Sequence, residues 1–335
     1  MTMAEVAKLA GVSQATVSRV VNEGGNVSPA TVEAVRAAMS EIGYPGPRRR
    51  TRRDDGRGGT TIALLMLDRT HAEHPHMSML KLAGVREAAM EAGVNLLLAD
   101  AAAEPGGEGD LPPMLAKGEA AGFALWGRSL PQGVRRLIGR KPIVWLSSHE
   151  GEAGEGDVVL EGNAEVGRIA CEYLVGRGAG RLAFLCPEPR KRQLLVRGHV
   201  FAAIAESRGL TVHLLASEAD DRATDAHHRT RRLVDRLVAV DPAPDGLFIP
   251  DDRFVAAAYD QLKRRGVQPG QAVAVVSCNN ERAYLDPLDP RPASIDLAPE
   301  VSGRMAVKRL LDQINGQQIE RAVSVTVQPR LVEGD

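Results

Sequence analysis

The chain has 335 residues, 44% hydrophobic and 25% charged, which suits a globular protein of about two domains with a real core. Lys and Arg total 42 against 43 for Asp and Glu, a net charge of -1 that excludes a uniformly basic nucleic-acid coat but not a local basic module. Three scattered cysteines (Cys171, Cys186, Cys278) form no disulfide framework or zinc quartet, and no apolar run nears the roughly 18 residues that span a bilayer. The start of the chain lacks the features of a signal peptide, so the expectation is a cytoplasmic protein without membrane contact.

Charge is unevenly spread. Residues 1–60 carry nine basic side chains against six acidic ones, and Arg48, Arg49, Arg50, Arg52 and Arg53 supply most of the excess. The other 275 residues carry 33 basic groups against 37 acidic. A basic head on an acidic body suits a protein whose head alone meets a polyanion; a solvated arginine-rich linker fits the charge equally well.

In chain order, MTMAEVAKLAG predicts a short helix, with Thr2 and Glu5 spaced as a capping box and Gly11 as the stop. Ser13 caps a second helix whose apolar stripe is Val17, Val20 and Val21, and a third runs from Pro29 to Gly43. The expected shared core is Val6, Leu9, Val17, Val20, Val32, Val35 and Ile42. Gln14, Ala15, Thr16, Ser18 and Arg19 occupy the start and outer side of the second helix. Hydroxyl and amide groups at a helix start can meet phosphates and base edges, and Arg19 lies one turn beyond Ala15. An ordinary helical hairpin would show the same spacing.

From Thr60 onward, apolar runs alternate with helical segments. Strands are predicted at 61–68, 95–100, 122–126, 142–146, 181–186, 211–216, 246–250, 272–278, 294–297 and near 321–327. Helices are predicted at 77–92, 110–117, 131–139, 163–177, 190–208, 223–239, 253–265 and 299–314. Continuous apolar strands joined by helical crossovers mean parallel sheets covered on both faces. Two lobes split near 158–163 fit this order, as do one doubly wound sheet or a partial barrel.

The run GVSQATVSRVVN followed by VSPATVEAVRAAMSEIGYPG closely resembles the DNA-binding head of LacI/GalR-type transcriptional regulators, over residues 3–46. In the body, GNAEVGRIACEYLVGRGAGRLAFL, RGHVFAAI, PDGLFIPDDRFVAAAYDQLKRRGV and AVAVVSCNN are similar to runs of the same family. The resemblance implies an all-α three-helix head joined to an α/β two-lobed body like the periplasmic sugar-binding proteins, with parallel sheets. It implies a helix-turn-helix domain at 1–46, a hinge or linker at 47–60, and an effector-binding and dimerisation domain at 61–335. The first lobe would take about 61–160 with a C-terminal segment near 295–327, and the second about 161–290.

The function so implied is a sequence-specific regulator, in the first instance a repressor. It would bind a palindromic operator on double-stranded DNA as a homodimer, modulated by a small molecule, a sugar or related metabolite, in the interlobe cleft. By resemblance Ser13, Thr16, Ser18 and Asn22 position the DNA backbone, Gln14, Ala15 and Arg19 read base edges, and Asn26 sits near the DNA. Arg197 matches a ligand-gripping arginine. Asp251 stands where the family usually has Asn, and Asn279 where it has a carboxylate, so an amide there gives up a charge. Asp68 and Met77 face the cleft by position, and Trp126 or Trp145 offers a ring for a pyranose face.

The hinge departs from the family. Its pattern is close to Pro-Asn-x-x-Ala-x-x-Leu, but here Gly46, Pro47, Arg50 and Arg53 take those four places. That makes a poor helix without an apolar lever, so Arg48, Arg49, Arg50, Arg52 and Arg53 read as an electrostatic arm to phosphates or a narrow minor groove, or as a tether. His71, His74 and His76 with Glu73 have a metal-like spacing, but the loop reads as exposed and without a further ligand group, hence as a polar cleft rim. No metal or cofactor is expected. Neither a dinucleotide fingerprint, a P-loop nor a nucleophile elbow is present, so no enzyme is expected. The alternatives are a regulator with a non-sugar effector or none, and a small-molecule module that binds no DNA.

Overall fold

Short apolar stripes build the first unit. The computed structural model describes residues 3–21, 27–41, 59–67, 74–101, 115, 119–127, 129–147, 156–218, 225–317 and 320–335, and the chain divides into Met1–Gly59 and Thr60–Asp335. The first unit holds α1 (Met3–Leu9), α2 (Gln14–Val21) and α3 (Pro29–Glu41). Gly11, at φ +65°, makes the left-handed turn between α1 and α2. Ser13 Oγ accepts the Thr16 N–H at 3.1 Å and Ser28 Oγ accepts the Thr31 N–H at 3.2 Å, so α2 and α3 each begin on a serine cap.

Val6, Ala7, Val17, Val35 and Ala38 form the buried core of this unit. Leu9, expected inside, is 46% exposed. Val6, Ala7 and Ala10 span the arc of α1 that meets its neighbours, and at 3.6 residues per turn Leu9 points about 110° from the centre of that arc. Val20 packs against the core half-buried, and Val32 is also half-buried. Thr2 and Ile42 lie outside the described residues.

The second unit has two six-stranded sheets. One runs β11-β5-β4-β3-β1-β2, with β1 (Thr61–Met66), β2 (Asn95–Asp100), β3 (Gly122–Trp126), β4 (Ile143–Ser147), β5 (Asp157–Glu161) and β11 (Ser324–Val327). The other runs β12-β10-β9-β8-β6-β7, with β6 (Arg181–Cys186), β7 (Thr211–Ala216), β8 (Gly246–Phe248), β9 (Ala274–Cys278), β10 (Ala293–Asp296) and β12 (Arg330–Val332). All neighbouring strands are parallel except the antiparallel pair β10 and β12.

The helices of this unit are α4 (Pro75–Glu91), α5 (Gln132–Ile138), α6 (Asn163–Gly176), α7 (Arg192–Ser207), α8 (Ala226–Val238), α9 (Val255–Arg264), α10 (Arg282–Leu285) and α11 (Pro299–Ile314). None of the described helices is long and apolar enough to cross a membrane. The strands β5 and β12 were not expected, and the predicted helix at 110–117 lies outside the described residues except for Leu115.

Alternation within the strands explains why both faces of the first sheet are covered. Ile62, Leu64, Val144 and Leu146 pack toward Val85 of α4 and Ala306 and Leu310 of α11. Ala63, Leu65, Phe123 and Leu125 pack on the other side toward Val134 and Ile138 of α5. Phe184, Phe201 and Phe248 anchor the second lobe, with Phe184 and Phe248 ring centroids 5.3 Å apart.

The chain passes between the lobes three times: from β5 into α6, from β10 into α11, and from β11 into β12. The helix α11 thus follows a strand of the second lobe but packs in the first, against α4. Their backbones touch: a Cβ on Gly84 would stand 2.0 Å from the Glu300 carbonyl oxygen, and one on Gly303 would stand 2.2 Å from that of Lys81. A methyl group there must push two helices apart. Gly84→Ala is expected to cost roughly 1–3 kcal/mol by overpacking, read as a lower urea midpoint, whereas Arg86→Ala on the exposed side of α4 leaves the midpoint near its original value.

Candidate functional site

Strand ends set the position of the main cleft. From the first lobe come His74, just before α4, Met77, Ser78 and Lys81 on α4, Trp126 at the end of β3 and Glu161 at the end of β5. From the second lobe come Gln193, Leu194 and Arg197 on α7, Asp251 after β8, Asn279 after β9 and Leu297 after β10. Every one of these lies at the carboxyl end of a parallel strand or the start of a following helix, where α/β sheets open their ligand crevices. The cleft opens to solvent at its mouth.

Five of the seven cleft candidates named from sequence come together here: Met77, Trp126, Arg197, Asp251 and Asn279. Asp68 lies outside the described residues. Trp145 is not part of the cleft; it is buried beside Phe123 and Leu125 in the core of the first lobe, because alternation along β4 turns it away. Sequence reasoning missed Ser78, Lys81, Glu161, Gln193, Leu194 and Leu297 as cleft residues. Helical spacing could have found two of them, since Lys81 is one turn beyond Met77 and Gln193 one turn before Arg197.

Arg197, 2% exposed, is the central fixture. Its Nε donates to Asn163 Oδ1 at 2.8 Å, and its Nη1 donates to the Pro250 carbonyl at 2.6 Å and to Asn279 Oδ1 at 3.4 Å. Asn279 Nδ2 donates in turn to Glu281 Oε2 at 3.4 Å, and the Asn279 N–H donates to the Ile295 carbonyl at 2.8 Å. Asn279 holds a left-handed φ of 111°, a strain that aims its side chain across to α7. The buried Gln193 Oε1 has no hydrogen-bond partner among the described residues.

Two ion pairs frame that arginine. Lys81 Nζ sits 2.9 Å from Glu161 Oε1 and 5.3 Å from the centre of the Trp126 ring, so an ammonium occupies one side of the ring proposed for stacking. Burial is the strongest single influence and raises the Glu161 carboxyl, but Lys81, by charge and hydrogen bond, together with Arg197 and His74 brings it below the usual range. Asp251 is treated likewise: burial raises it, and Arg253, donating to both its oxygens at 3.0 and 2.9 Å, brings it below the ordinary value. Behind it, burial pushes Asp252 up to about 8 despite hydrogen bonds from Ser277, Ser294 and the Glu281 N–H.

Of the histidine loop, His74 lines the cleft and His76 is exposed, as a polar rim requires, but His74 is less open than the sequence suggested. His74 is largely enclosed, with Nδ1 3.6 Å from Asp251 Oδ2, and one ligand atom each of His74, Asp251 and Glu281 lie within 4.8 Å of one another. His71 and Glu73 lie outside the described residues. The three groups look like a cation site, but the protons say otherwise. Lys191 Nζ and Arg253 Nη2, which can only donate, both stand 3.3 Å from His74 Nε2. Nε2 must therefore accept, the proton sits on Nδ1 facing Asp251, and no imidazole lone pair is left for a metal ion.

In the first unit, Ser13, Gln14 and Ala15 are exposed at the start of α2, Thr16 is half-buried, and the first turn carries no acidic residue. The positive end of the helix thus carries exposed polar side chains and no opposing carboxylate, as anion contact requires. The side chains of Ser18 and Arg19, and all of Asn22, Asn26, Arg48, Arg49, Arg50, Arg52 and Arg53, lie outside the described residues.

Burial, helped by Arg253 and Lys191 and opposed by Asp251, lowers His74 from 6.5 to about 4. Between those values the unfolded chain takes up a proton that the folded chain refuses, so this group withdraws stability as pH falls through that window. His74→Gln is expected to shrink the drop in melting temperature between about pH 7 and pH 5. An unaltered drop would contradict the neutral, enclosed imidazole.

Two family models match the chain. Residues 2–45 match the bacterial regulatory proteins of the lacI family, and residues 171–335 match a periplasmic binding protein-like domain. The chain is 30% identical to the transcriptional regulator CelR of Thermobifida fusca over 333 residues, covering 95% of this chain and 93% of that one. It is 26% identical to the regulator GntR of Pseudomonas aeruginosa, covering 95% and 90%, and 25% identical to the repressor PurR of Vibrio cholerae, covering 100% and 97%. Among solved structures, a CelR–cellobiose complex aligns with a TM-score of 0.64 at 24% identity, covering 100% and 99%. A lac repressor dimer bound to operator and an anti-inducer aligns with a TM-score of 0.61 at 19% identity, covering 100% and 98%. A helix-turn-helix head on a two-lobed body with a polar cleft, related along nearly its whole length to such regulators, makes this chain a member of the LacI family of bacterial DNA-binding transcriptional regulators.

Proposed function

We propose that the protein is a repressor that binds a palindromic operator as a homodimer and releases or tightens its hold when a small molecule fills the cleft between its lobes. The observation that carries this reading is the convergence of Met77, Trp126, Arg197, Asp251 and Asn279 on one cleft fed by both lobes. A ligand that touches both lobes biases their relative position, which is the differential affinity a switch requires. The complexes of CelR with cellobiose and of the lac repressor with operator and anti-inducer are in keeping with it. The reading involves no reaction and no cofactor, and it sets the protein in the cytoplasm, where the DNA is.

In this reading Gln14, Ala15 and Arg19 meet base edges, Ala15 through apolar contact alone. Ser13, Thr16, Ser18 and Asn22 hold phosphates, and Asn26 lies beside them. The arginines at 48, 49, 50, 52 and 53 add contacts that ignore sequence. One small helical head buries little surface, so two heads on two half-sites supply the affinity. Met79 and Met90 on α4 and Leu98 on the edge strand β2 are 65%, 70% and 48% exposed, and provide apolar surface on which a second copy packs.

Selection of bound duplexes from a random pool tests the whole. Recovery of a palindrome is expected; a single half-site would remove the dimer, and no enrichment would remove sequence-specific binding. Arg19→Ala should cost roughly 1–3 kcal/mol on the preferred site and relax the preference at one base pair. Replacing the five arginines of 48–53 with Gln should instead weaken binding about equally on all duplexes and flatten the dependence on salt. Unchanged affinity would make that segment a tether.

A further inference from the structure

We propose that the effector of this cleft is a small hydroxy acid whose carboxylate sits on the Arg197 guanidinium, an inference that rests on the cleft being the effector site. The argument is one of charge. A buried cation needs a partner of opposite sign, because burial without one is costly. The three hydrogen bonds of Arg197 all go to neutral oxygens, of Asn163, Pro250 and Asn279.

The other cations around the cleft already touch carboxylates. Lys81 lies 2.9 Å from Glu161, Lys191 lies 2.9 Å from Glu188, and Arg253 lies 2.9 Å from Asp251 and 3.1 Å from Glu188. Among the described residues Arg197 forms no ion pair within 4.0 Å. Glu161 is near enough to feel its charge, but Oε1 of that residue is held by Lys81. Glu281 stands one amide away, behind Asn279. An aspartate at position 279 would neutralise the arginine directly; the asparagine leaves that charge for a ligand to meet.

The geometry then narrows the anion. Nε and Nη1 are tied to the protein, while Nη2 bonds to none of the described residues on a side chain that lines the cleft. One cation without a direct ion pair suits a monoanion, and a planar carboxylate matches a planar guanidinium. A phosphate dianion would bring a second negative charge to a cleft that already holds Glu161 and Asp251. The acceptors of those two acids and the partnerless Gln193 Oε1 call for donors, which the hydroxyls of the acid supply.

The test is calorimetric titration of the full chain with matched pairs: gluconate against glucitol, galactonate against galactitol, glucuronate against glucose, with glucose 6-phosphate and cellobiose alongside. In at least one pair the acid should bind about tenfold or more tighter than its neutral twin, the scale of hydrogen bonds to a charged group. Asn279→Asp should cancel that preference, lowering affinity for the acid about tenfold while leaving the neutral twin within a few fold. Arg197→Lys, which keeps the charge without the fork, should retain the sign of the preference at lower affinity. Neutral sugars binding as tightly as their acids would overturn the inference and leave the effector site standing. A preference for the sugar phosphate would overturn the carboxylate. Binding by none of the compounds would overturn the effector-site reading and this inference with it.

Discussion

Three passages of chain between the lobes, at 161–163, 296–299 and 327–330, constrain the polar cleft of the second unit. Parallel sheets send their strand ends to one side, and the crossings join the two sheets so that those sides face each other. Glu161 and Leu297 lie on or beside crossings, and the Asn163 that holds Arg197 begins the helix after the first. The cleft is therefore built from the hinge outward. A change of lobe angle moves Lys81 and Trp126 relative to Arg197 and Asn279 while leaving each sheet intact.

The close meeting of α4 and α11 extends that constraint. With Gly84 and Gly303 bringing the helices to backbone contact, α4 cannot slide over α11, and the cleft side chains of α4 move with the segment that leaves the second crossing. Packed interfaces of this kind pass on rotation as a block instead of absorbing it. The buried charges act in the same sense. Lys81 with Glu161 and Arg253 with Asp251 fix the walls, because breaking either pair would leave an uncompensated charge in a poorly hydrated place.

The strand RLAFLC was legible to the residue, because a doubly covered parallel strand writes itself as a nearly unbroken apolar run. The strand β5 was not, since Asp157 and Glu161 flank only Val158, Val159 and Leu160 beside a Gly- and Glu-rich stretch. Missing that strand meant missing Glu161, and with it the reason Lys81 faces inward. Arg197, Asp251 and Asn279 were found through family likeness, and periodicity alone would not have singled them out. The acidic partners of Arg253 lie 2 and 65 residues away in sequence, and no local pattern records the second. Leu9 shows the limit at small scale: an apolar residue in a short helix has too few neighbours to be claimed by the core.

The order in which the lobes can be finished follows from the same crossings. Strand β11, at the edge of the first sheet, comes from residues 324–327, although the four strands from β1 to β4 are complete by residue 147. On the ribosome the first lobe must therefore wait, with the apolar face that α11 later covers still open, while residues 163–298 of the second lobe are made, at the roughly 5–20 residues per second of synthesis. For many seconds the nascent protein is a head already able to fold, attached to a half-covered sheet. Any chaperone that attends its birth will meet it there, before either lobe has closed.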